Sequence, residues 1–84
     1  MITITPTNPS VKFGGKQKFT ASHPGTYSVR SENDSTKGST VDSDGNYVAG
    51  QPAAAAQQAG SDIVTVTASD AANGSASARV SLTK

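Results

Sequence analysis

Residues 62–70, DIVTVTASD, and residues 76–83, ASARVSLT, carry the clearest pattern in the chain. In both segments apolar residues alternate with Ser, Thr or Arg, which gives each strand one apolar face and one polar face. Between the two segments, Asn73-Gly74 is a dipeptide typical of a hairpin turn. The sequence therefore predicts an antiparallel hairpin that buries one of its faces.

The same alternation recurs upstream in short segments separated by Gly, Pro, Asn and Asp, with turns at residues 14–15 and 44–45. We predict an all-β chain, an immunoglobulin-like antiparallel β-sandwich of about seven strands without a disulfide, with residues 1–84 as one domain. The upstream residues assigned to apolar faces are Ile2, Ile4, Val11, Phe13, Phe19, Ala21, Tyr27, Val29, Val41 and Tyr47.

The composition indicates a domain held together by burial alone. The chain contains no cysteine, which excludes thiolate catalysis, zinc–thiolate sites and disulfide bonds. Its formal net charge of +1 supplies no drive toward nucleic acid or anionic lipid, so we expect neither as a partner. No apolar run approaches the roughly 18 to 20 residues that span a membrane, and membrane insertion is not expected.

Residues 51–60, QPAAAAQQAG, depart from the alternation. Pro52 stands where the first turn of a helix tolerates proline, and Gly60 stands where a helix end prefers glycine. These signals favour a short helical turn about as strongly as an irregular Ala-rich loop, because a helix this short is marginal without packing. We interpret the stretch as a short helical turn and keep the irregular loop as the alternative.

The N-terminal residues MITITP have neither the basic region nor the apolar run of a signal peptide. The strand pattern begins at Ile2 and ends at Thr83 with no linker on either side. This arrangement favours a domain excised from a longer exported protein over a free-standing cytoplasmic protein. We therefore expect its partners to include the neighbouring domains of a larger parent protein.

Few residues suggest catalysis. His23 is the only histidine, and the sequence His23-Pro24-Gly25 predicts an exposed turn rather than an oriented base. No G-x-S-x-G nucleophile motif occurs. We predict that the protein is not an enzyme and has no catalytic residue, cofactor or metal.

Asp42, Asp44 and Asn46 have the spacing of the first oxygen ligands in a calcium loop. The rest of that loop is missing, because position six is Tyr47 rather than Gly and position twelve is Ala53 rather than Glu. The favoured interpretation is a hairpin turn, and weak calcium binding is the alternative. The carboxylates that would join such a calcium site are Asp62 and Asp70.

Lys12, Lys16 and Lys18 form the only basic cluster. Lysines on edge strands block sheet-to-sheet aggregation, and this role explains the cluster better than polyanion binding does. Every aromatic residue is assigned to a buried face, so no platform for stacking bases or sugars is predicted beside the lysines. The four aromatic residues, all assigned to buried faces, are Phe13, Phe19, Tyr27 and Tyr47.

Taken in order, the segments resemble the bacterial immunoglobulin-like domains, particularly the group 2 type found in adhesins and on phage virion proteins. The similar segments are residues 2–6 and 11–21 for the first two strands, 38–49 for the central segment, and 62–70 with 78–82 for the closing pair. Two departures are Tyr27, where the family usually has Trp, and the Ala-rich insertion.

The resemblance implies a non-enzymatic structural module of a surface-exposed protein, acting as spacer and stabiliser with weak surface adhesion as an additional role. The implied location is extracellular, on a bacterial cell surface or a phage virion. The alternative is a dedicated binding module that recognises a glycan or a host receptor through loops 31–40 and 51–60. Because neither loop carries an aromatic anchor, we favour the structural role and assign no binding residue. Two sets of loop substitutions are then expected to leave the fold intact: Asn33, Asp34, Ser35 and Lys37 together, and Gln57 with Gln58.

Overall fold

The computed structural model describes all residues from Met1 to Lys84. Strands take up 54% of the chain and no α-helix is present, so the prediction of an all-β protein is confirmed. Two single-turn 3₁₀ helices, Glu32–Asp34 and Ala71–Asn73, lie between strands, and no helix has the length and apolar character to cross a membrane. The strands are β1 (Ile4–Thr5), β2 (Ser10–Lys12), β3 (Lys16–Lys18), β4 (Thr20–Ala21), β5 (Gly25–Ser31), β6 (Thr36–Lys37), β7 (Thr40–Val41), β8 (Asn46–Val48), β9 (Gln51–Pro52), β10 (Ala59–Ala68) and β11 (Ser75–Thr83).

These eleven segments outnumber the predicted seven or so for two reasons. The strand predicted around Phe19 is divided, because β3 pairs with β8 whereas β4 pairs with β1. In addition, β6 and β9 form a two-residue pair that carries no alternation signal. Alternation indicates which face of a strand is buried, but it does not indicate the neighbour to which the strand hydrogen-bonds.

The largest sheet has the strand order β2-β11-β10-β5. Its centre is the predicted hairpin, β10 with β11, whose register runs from Ala59 opposite Thr83 to Thr67 opposite Ser75. β5 pairs antiparallel with the other side of β10, and β2 pairs in parallel with the last three residues of β11. The remaining strands form an antiparallel sheet of order β3-β8-β7 and two short antiparallel pairs, β1 with β4 and β6 with β9.

One hydrophobic core joins these sheets. Inward-facing residues alternate along β10 and β11 as predicted, and burying a large apolar side chain contributes about 1.5 to 3 kcal/mol. Phe19 and Tyr47 are fully buried and meet edge to face, with ring centroids 6.1 Å apart. Phe13 and Tyr27 are half-buried against the core. The fully packed core residues are Ile2, Ile4, Phe19, Tyr47, Ala49, Val64, Val66, Ala68, Ala78, Val80 and Leu82.

The helical-turn interpretation of residues 51–60 is wrong. Pro52 lies in β9 opposite Thr36, and Gly60 lies in β10 opposite Leu82, so both supposed helix-end signals belong to strands. Sheet pairing at both ends leaves only residues 53–58 between strands, too few for a helix that lacks packing. These residues form the irregular loop that was the alternative.

The connection between β10 and β11 is longer than the predicted two-residue turn. Its 3₁₀ helix is capped by Asp70, whose Oδ1 accepts a hydrogen bond from the Ala72 N–H at 3.0 Å. Gly74 ends that helix with φ of +69°, a left-handed conformation that favours glycine. The hairpin is therefore confirmed, whereas its turn type is not.

The molecule is elongated, with principal extents of 43 × 19 × 18 Å. The Ile2 N–H donates to the Asn73 carbonyl at 2.9 Å, just before β11 begins, whereas the Lys84 N–H donates to the Gln58 carbonyl at 3.2 Å, just after β11 ends. A strand as long as β11 spans about 27 Å. Residues 2 and 84 therefore lie at opposite ends of the body, which we name the Ile2 pole and the Lys84 pole.

Candidate functional site

The two loops that the sequence suggests for recognition meet at the Lys84 pole. β6, from loop 31–40, pairs with β9, from loop 51–60. The Ser35 carbonyl accepts hydrogen bonds from the Ala53 N–H at 3.2 Å and from Gln57 Nε2 at 2.6 Å. The loops consequently form one continuous surface rather than two independent ones.

Ser35 and Gln57 hold this surface to the sheet. Ser35 Oγ lies 2.7 Å from the Glu32 carbonyl oxygen and accepts a hydrogen bond from the Ser61 N–H at 3.0 Å. Gln57 Nε2 also donates to the Ala59 carbonyl at 2.6 Å. Both side chains thus have structural contacts, and the expectation that all loop residues are freely replaceable is revised for these two.

The exposed part of the joined surface has no anchor and no deep pocket. Its exposed side chains are small or polar, and loops 31–40 and 51–60 contain no aromatic residue. The cleft beside it has a volume of about 100 Å³, below the roughly 300 to 1,000 Å³ typical of ligand pockets. The residues lining that cleft are Val29, Arg30, Ser31, Thr36, Gly38 and Ser39.

Behind β6 lies a buried group of three polar side chains, Thr36, Tyr47 and Asp62, which we name the polar cluster. Asp62 and Tyr47 are completely buried and Thr36 is nearly so. The Tyr47 hydroxyl donates to Asp62 Oδ2 at 2.5 Å, and the Thr36 hydroxyl donates to Asp62 Oδ1. The cluster therefore links β6, β8 and β10 through one carboxylate.

The polar cluster satisfies its own hydrogen bonds, as buried polar groups must. No buried side-chain nitrogen or oxygen in the protein lacks a hydrogen-bond partner. Burial, reinforced by the Asp62 carboxylate, raises the pKa of Tyr47 well above its usual value, so the phenol stays protonated and remains a donor. The cluster is therefore buried, satisfied within the protein, and links the three strands that carry it.

The alternation of β10 carries a signal for this cluster. Val64, Val66 and Ala68 are buried, and two residues further back the same face carries Asp62. Extending the buried face of β10 by one further residue pair would have predicted a buried Asp62 carboxylate, which needs hydrogen-bond donors. Asp62 bonds to the polar cluster and Asp70 caps a 3₁₀ helix, so neither of the two further carboxylates considered for a calcium site lies with the Asp42 segment.

The segment from Asp42 to Asn46 is the predicted turn between β7 and β8. Asp42 Oδ1 accepts hydrogen bonds from the N–H groups of Asp44 and Asn46, and Asp42 Oδ2 accepts from Asn46 Nδ2, all at 2.9 Å. The hydrogen bonds from Asn46, with a smaller contribution from that of Asp44, hold the pKa of Asp42 below its usual range. Gly45 has φ of +86°, and no group of three or more His, Cys, Asp or Glu side chains that could hold a metal ion occurs in the protein.

A second polar group, which the sequence pattern did not indicate, lies on the outer face of the large sheet. Arg79 Nε donates to Glu32 Oε1 at 2.7 Å, and Ser61 Oγ donates to the same oxygen at 2.5 Å. The Ser61 hydrogen bond, followed by that of Arg79, holds the pKa of Glu32 below its usual range. Arg79 remains 58% exposed, so water screens this ion pair.

His23 is exposed, as predicted, and its Nδ1 lies 2.9 Å from Ser22 Oγ. A hydroxyl beside an imidazole is part of a catalytic arrangement, but such a base needs a third group that orients it. No carboxylate is hydrogen-bonded to His23, and Ser22 Oγ already accepts from the Thr3 N–H at 2.8 Å. The pair therefore lacks the orientation that nucleophilic catalysis requires.

The three lysines lie on edge strands, as predicted. Lys12 is on β2, the edge of the four-stranded sheet, and Lys16 and Lys18 are on β3, the edge of the three-stranded sheet. All three are exposed, and Lys18 Nζ also donates to the Asp44 carbonyl at 2.6 Å, which ties β3 to the turn. Their positions suit protection of open sheet edges.

Protein-family models give no match to this chain, and curated proteins give no significant match. The functional argument therefore rests on the geometry described above.

Proposed function

We propose that the chain is an immunoglobulin-like β-sandwich module of the bacterial group 2 type. The strand neighbours support this assignment, because β1, β3 with β4, β8 and β7 follow the A-B-E-D order of one immunoglobulin sheet. β5, β10 and β11 follow the C-F-G order of the other sheet, with β2 added beside β11. Buried residues from both sets of strands share one core.

The proposed function is that of a non-enzymatic spacer and stabiliser in a surface-exposed bacterial or phage virion protein, with weak surface adhesion as an additional role. The observation that carries it is the position of residues 2 and 84 at opposite poles of a body 43 Å long. Modules of this geometry connect in series, and each one extends the parent protein along its axis. Its partners in this proposal are the neighbouring domains.

The second candidate, a dedicated module for binding a glycan or a host receptor, has one observation in its favour: the two candidate loops meet in a single surface at the Lys84 pole. Interfaces derive most of their energy from a few aromatic or Arg anchors in desolvated pockets. The two loops contain no aromatic or Arg residue, and the adjoining cleft, which Arg30 lines, is too small for a ligand pocket; both observations support the spacer role over recognition.

Small-angle scattering on one, two and three copies joined in tandem tests the spacer role. We expect the largest dimension to grow by about one long axis, 43 Å, with each added copy. Copies that fold back side by side, so that the particle thickens instead of lengthening, would contradict the proposal. Attachment of the parent protein to host surface, measured with Lys37→Ala and Gln58→Ala together, tests the binding alternative, which predicts a large loss at unchanged melting temperature.

A further inference from the structure

The first and last strands of the large sheet are hydrogen-bonded to each other in parallel. β2 pairs with the end of β11 over three residues. Further backbone bonds extend this contact in both directions: the Arg79 N–H donates to the Thr7 carbonyl at 3.0 Å, and the Phe13 N–H donates to the Thr83 carbonyl at 2.9 Å. The contact thus joins residues 7–13 to residues 79–83.

The direction of these strands decides how the contact responds to tension. β1, β2 and β11 all run from the Ile2 pole toward the Lys84 pole. A pull on residue 1 draws β2 toward the Ile2 pole, whereas a pull on residue 84 draws β11 toward the Lys84 pole. The two strands must then slide past each other. Because their hydrogen bonds lie across the direction of sliding, all of them are strained together rather than one after another.

We propose that the β2–β11 pair is a shear clamp, which makes the module resistant to tension transmitted along the chain between its neighbours. The inference rests on the proposed function, in which the module is connected in series. It adds a mechanical role: the module transmits force and keeps its fold while doing so.

Side-chain packing reinforces the clamp. Val11 and Phe13, on the β2 side, pack against the hydrophobic core, and Leu82 on β11 is almost completely buried within it. Sliding therefore also pulls apolar surface out of the core.

Tension reaches β1 before β2. β1 and its flanking residues are held by the short pair with β4, by backbone hydrogen bonds of Ile2 and Thr3 and by the buried side chains of Ile2 and Ile4. The β2–β11 contact adds the longer run of backbone bonds, and these are the bonds loaded in shear.

Single-molecule force spectroscopy with two attachment geometries tests the clamp. The chain contains no cysteine, so introduced cysteines are unique attachment points. Met1→Cys with Lys84→Cys loads the pair in shear. Lys16→Cys with Lys84→Cys applies force at one pole and leaves β2 outside the loaded stretch of chain, so the pair is not sheared. We expect a clearly higher unfolding force in the first geometry. Equal forces, or a higher force in the second geometry, would overturn the proposal.

A matched pair of proline substitutions locates the resistance. Hydrogen-bonding residues alternate along a parallel strand, so the Val11 N–H faces β11 while the Lys12 N–H faces the open edge. Val11→Pro removes one clamp bond and part of the packing of a half-buried side chain. We expect unfolding at least about fivefold faster at fixed force in the shear geometry, the factor that one typical hydrogen bond represents. Lys12→Pro is the control and should leave the rate unchanged within about twofold.

If Val11→Pro accelerates unfolding much less in the Lys16–Lys84 geometry, its effect is specific to shear loading of the β2–β11 pair. An equal acceleration in both geometries would contradict the clamp, because it would indicate a general loss of stability. If Val11→Pro fails to fold, the unfolding forces of the otherwise unmodified chain in the two attachment geometries still test the clamp. Single modules held between unrelated handles are used throughout, so this result is independent of whether tandem copies extend.

Discussion

The apolar part of the core and the polar cluster are both fully buried, yet they stabilise the fold in different ways. Around Phe19, Val66 and Val80 the contacts are non-directional, and their contribution scales with the area removed from water. In the polar cluster a single carboxylate accepts hydrogen bonds from hydroxyls on two other strands, and these bonds require one particular arrangement. Tyr47 belongs to both regions, because its ring contacts Phe19 and its hydroxyl contacts Asp62.

The difference suggests a division of roles. Apolar burial supplies most of the free energy of folding, whereas the polar cluster specifies which strands meet. A chain with only 13 large aliphatic or Phe residues, seven Val, three Ile, two Phe and one Leu, has few distinct shapes with which to fix strand positions by packing alone. Directional hydrogen bonds within the core offset that lack of specificity.

The largest effect is expected from the apolar side. Phe19→Ala leaves a cavity at the centre of the core and should lower the free energy of unfolding by about 3 to 5 kcal/mol, enough to unfold a domain of this size. Denaturant unfolding followed by circular dichroism measures the loss. Phe13→Ala, at a half-buried position, is the control and should cost clearly less; equal costs would mean that Phe19 has no special place in the core.

The polar cluster is tested by removing one hydroxyl. Tyr47→Phe keeps the ring against Phe19 but leaves a buried Asp62 oxygen without its donor, and should cost about 1 to 3 kcal/mol. The same measurement on Tyr27→Phe is the matched control, because the hydroxyl of Tyr27 makes no hydrogen bond, and it should be nearly silent. If both variants unfold at the same denaturant concentration as the unmodified protein, the cluster contributes no stability.

Because the pKa of Tyr47 is raised, the stability that its hydroxyl contributes should depend on pH in the alkaline range. The unfolded tyrosine titrates near pH 10, so stability due to the protonated phenol is fully present below about pH 10. It is lost as the pH rises toward the folded-state pKa. A plot of melting temperature against pH should therefore fall more steeply above pH 10 for the unmodified protein than for Tyr47→Phe, and parallel curves would contradict the assignment.

A smaller effect is expected at the exposed turn. Asp42→Ala removes the acceptor of three hydrogen bonds and should lower the melting temperature, whereas Asp44→Ala, whose carboxylate makes no hydrogen bond, should not. Because the folded-state pKa of Asp42 is lowered, its contribution is present above about pH 4 and is lost as the pH falls further. The difference between the two variants should therefore disappear in acid.

Calcium tests the alternative interpretation of the same turn. A ligand that binds the native state raises its melting temperature, so millimolar calcium should leave that of the unmodified protein unchanged. A rise in melting temperature that Asp44→Ala abolishes would establish a calcium site instead of a plain turn.

The smallest effects are expected at the Lys84 pole. Lys37→Ala and Gln58→Ala change exposed side chains and should alter the free energy of unfolding by less than about 0.5 kcal/mol each. Ser35→Ala, in the same surface, removes a hydroxyl that bonds to both Glu32 and Ser61 and should cost about 1 kcal/mol or more. Thermal unfolding distinguishes the exposed positions from Ser35. If Ser35→Ala left the free energy of unfolding unchanged, its hydroxyl would not help to hold the loop surface to the sheet.

Much of the fold was predictable because alternation is a local property. The period-2 pattern identified the buried faces of β10 and β11, and the glycine after Asp44 identified the turn between β7 and β8. Partner choice was not predictable in the same way: the change of partner at Phe19 depends on strands that lie far apart in the sequence. The helical turn predicted for residues 51–60 was wrong for the same reason. Pairing of Pro52 and Gly60 with strands distant in sequence outweighed the weak helix-end signals.

The candidate sites show the same limit. Spacing grouped Asp42, Asp44 and Asn46 correctly into a turn, because residues this close in sequence are also close in space. The polar cluster combines Thr36, Tyr47 and Asp62 from three separate segments, and no local pattern joins them. Only the position of Asp62 in the alternation of β10, two residues before Val64, indicated that its side chain lies on the buried face.

The pairing of β2 with β11 also affects how the chain folds while it is synthesised. Ser10 and its partner Ser81 are about 70 residues apart in sequence, and a ribosome adds roughly 5 to 20 residues per second. β2 therefore leaves the ribosome several seconds, about 4 to 14, before its partner exists. During that interval its backbone is an open template for other chains, and the positive charge of Lys12 discourages such pairing until β11 arrives.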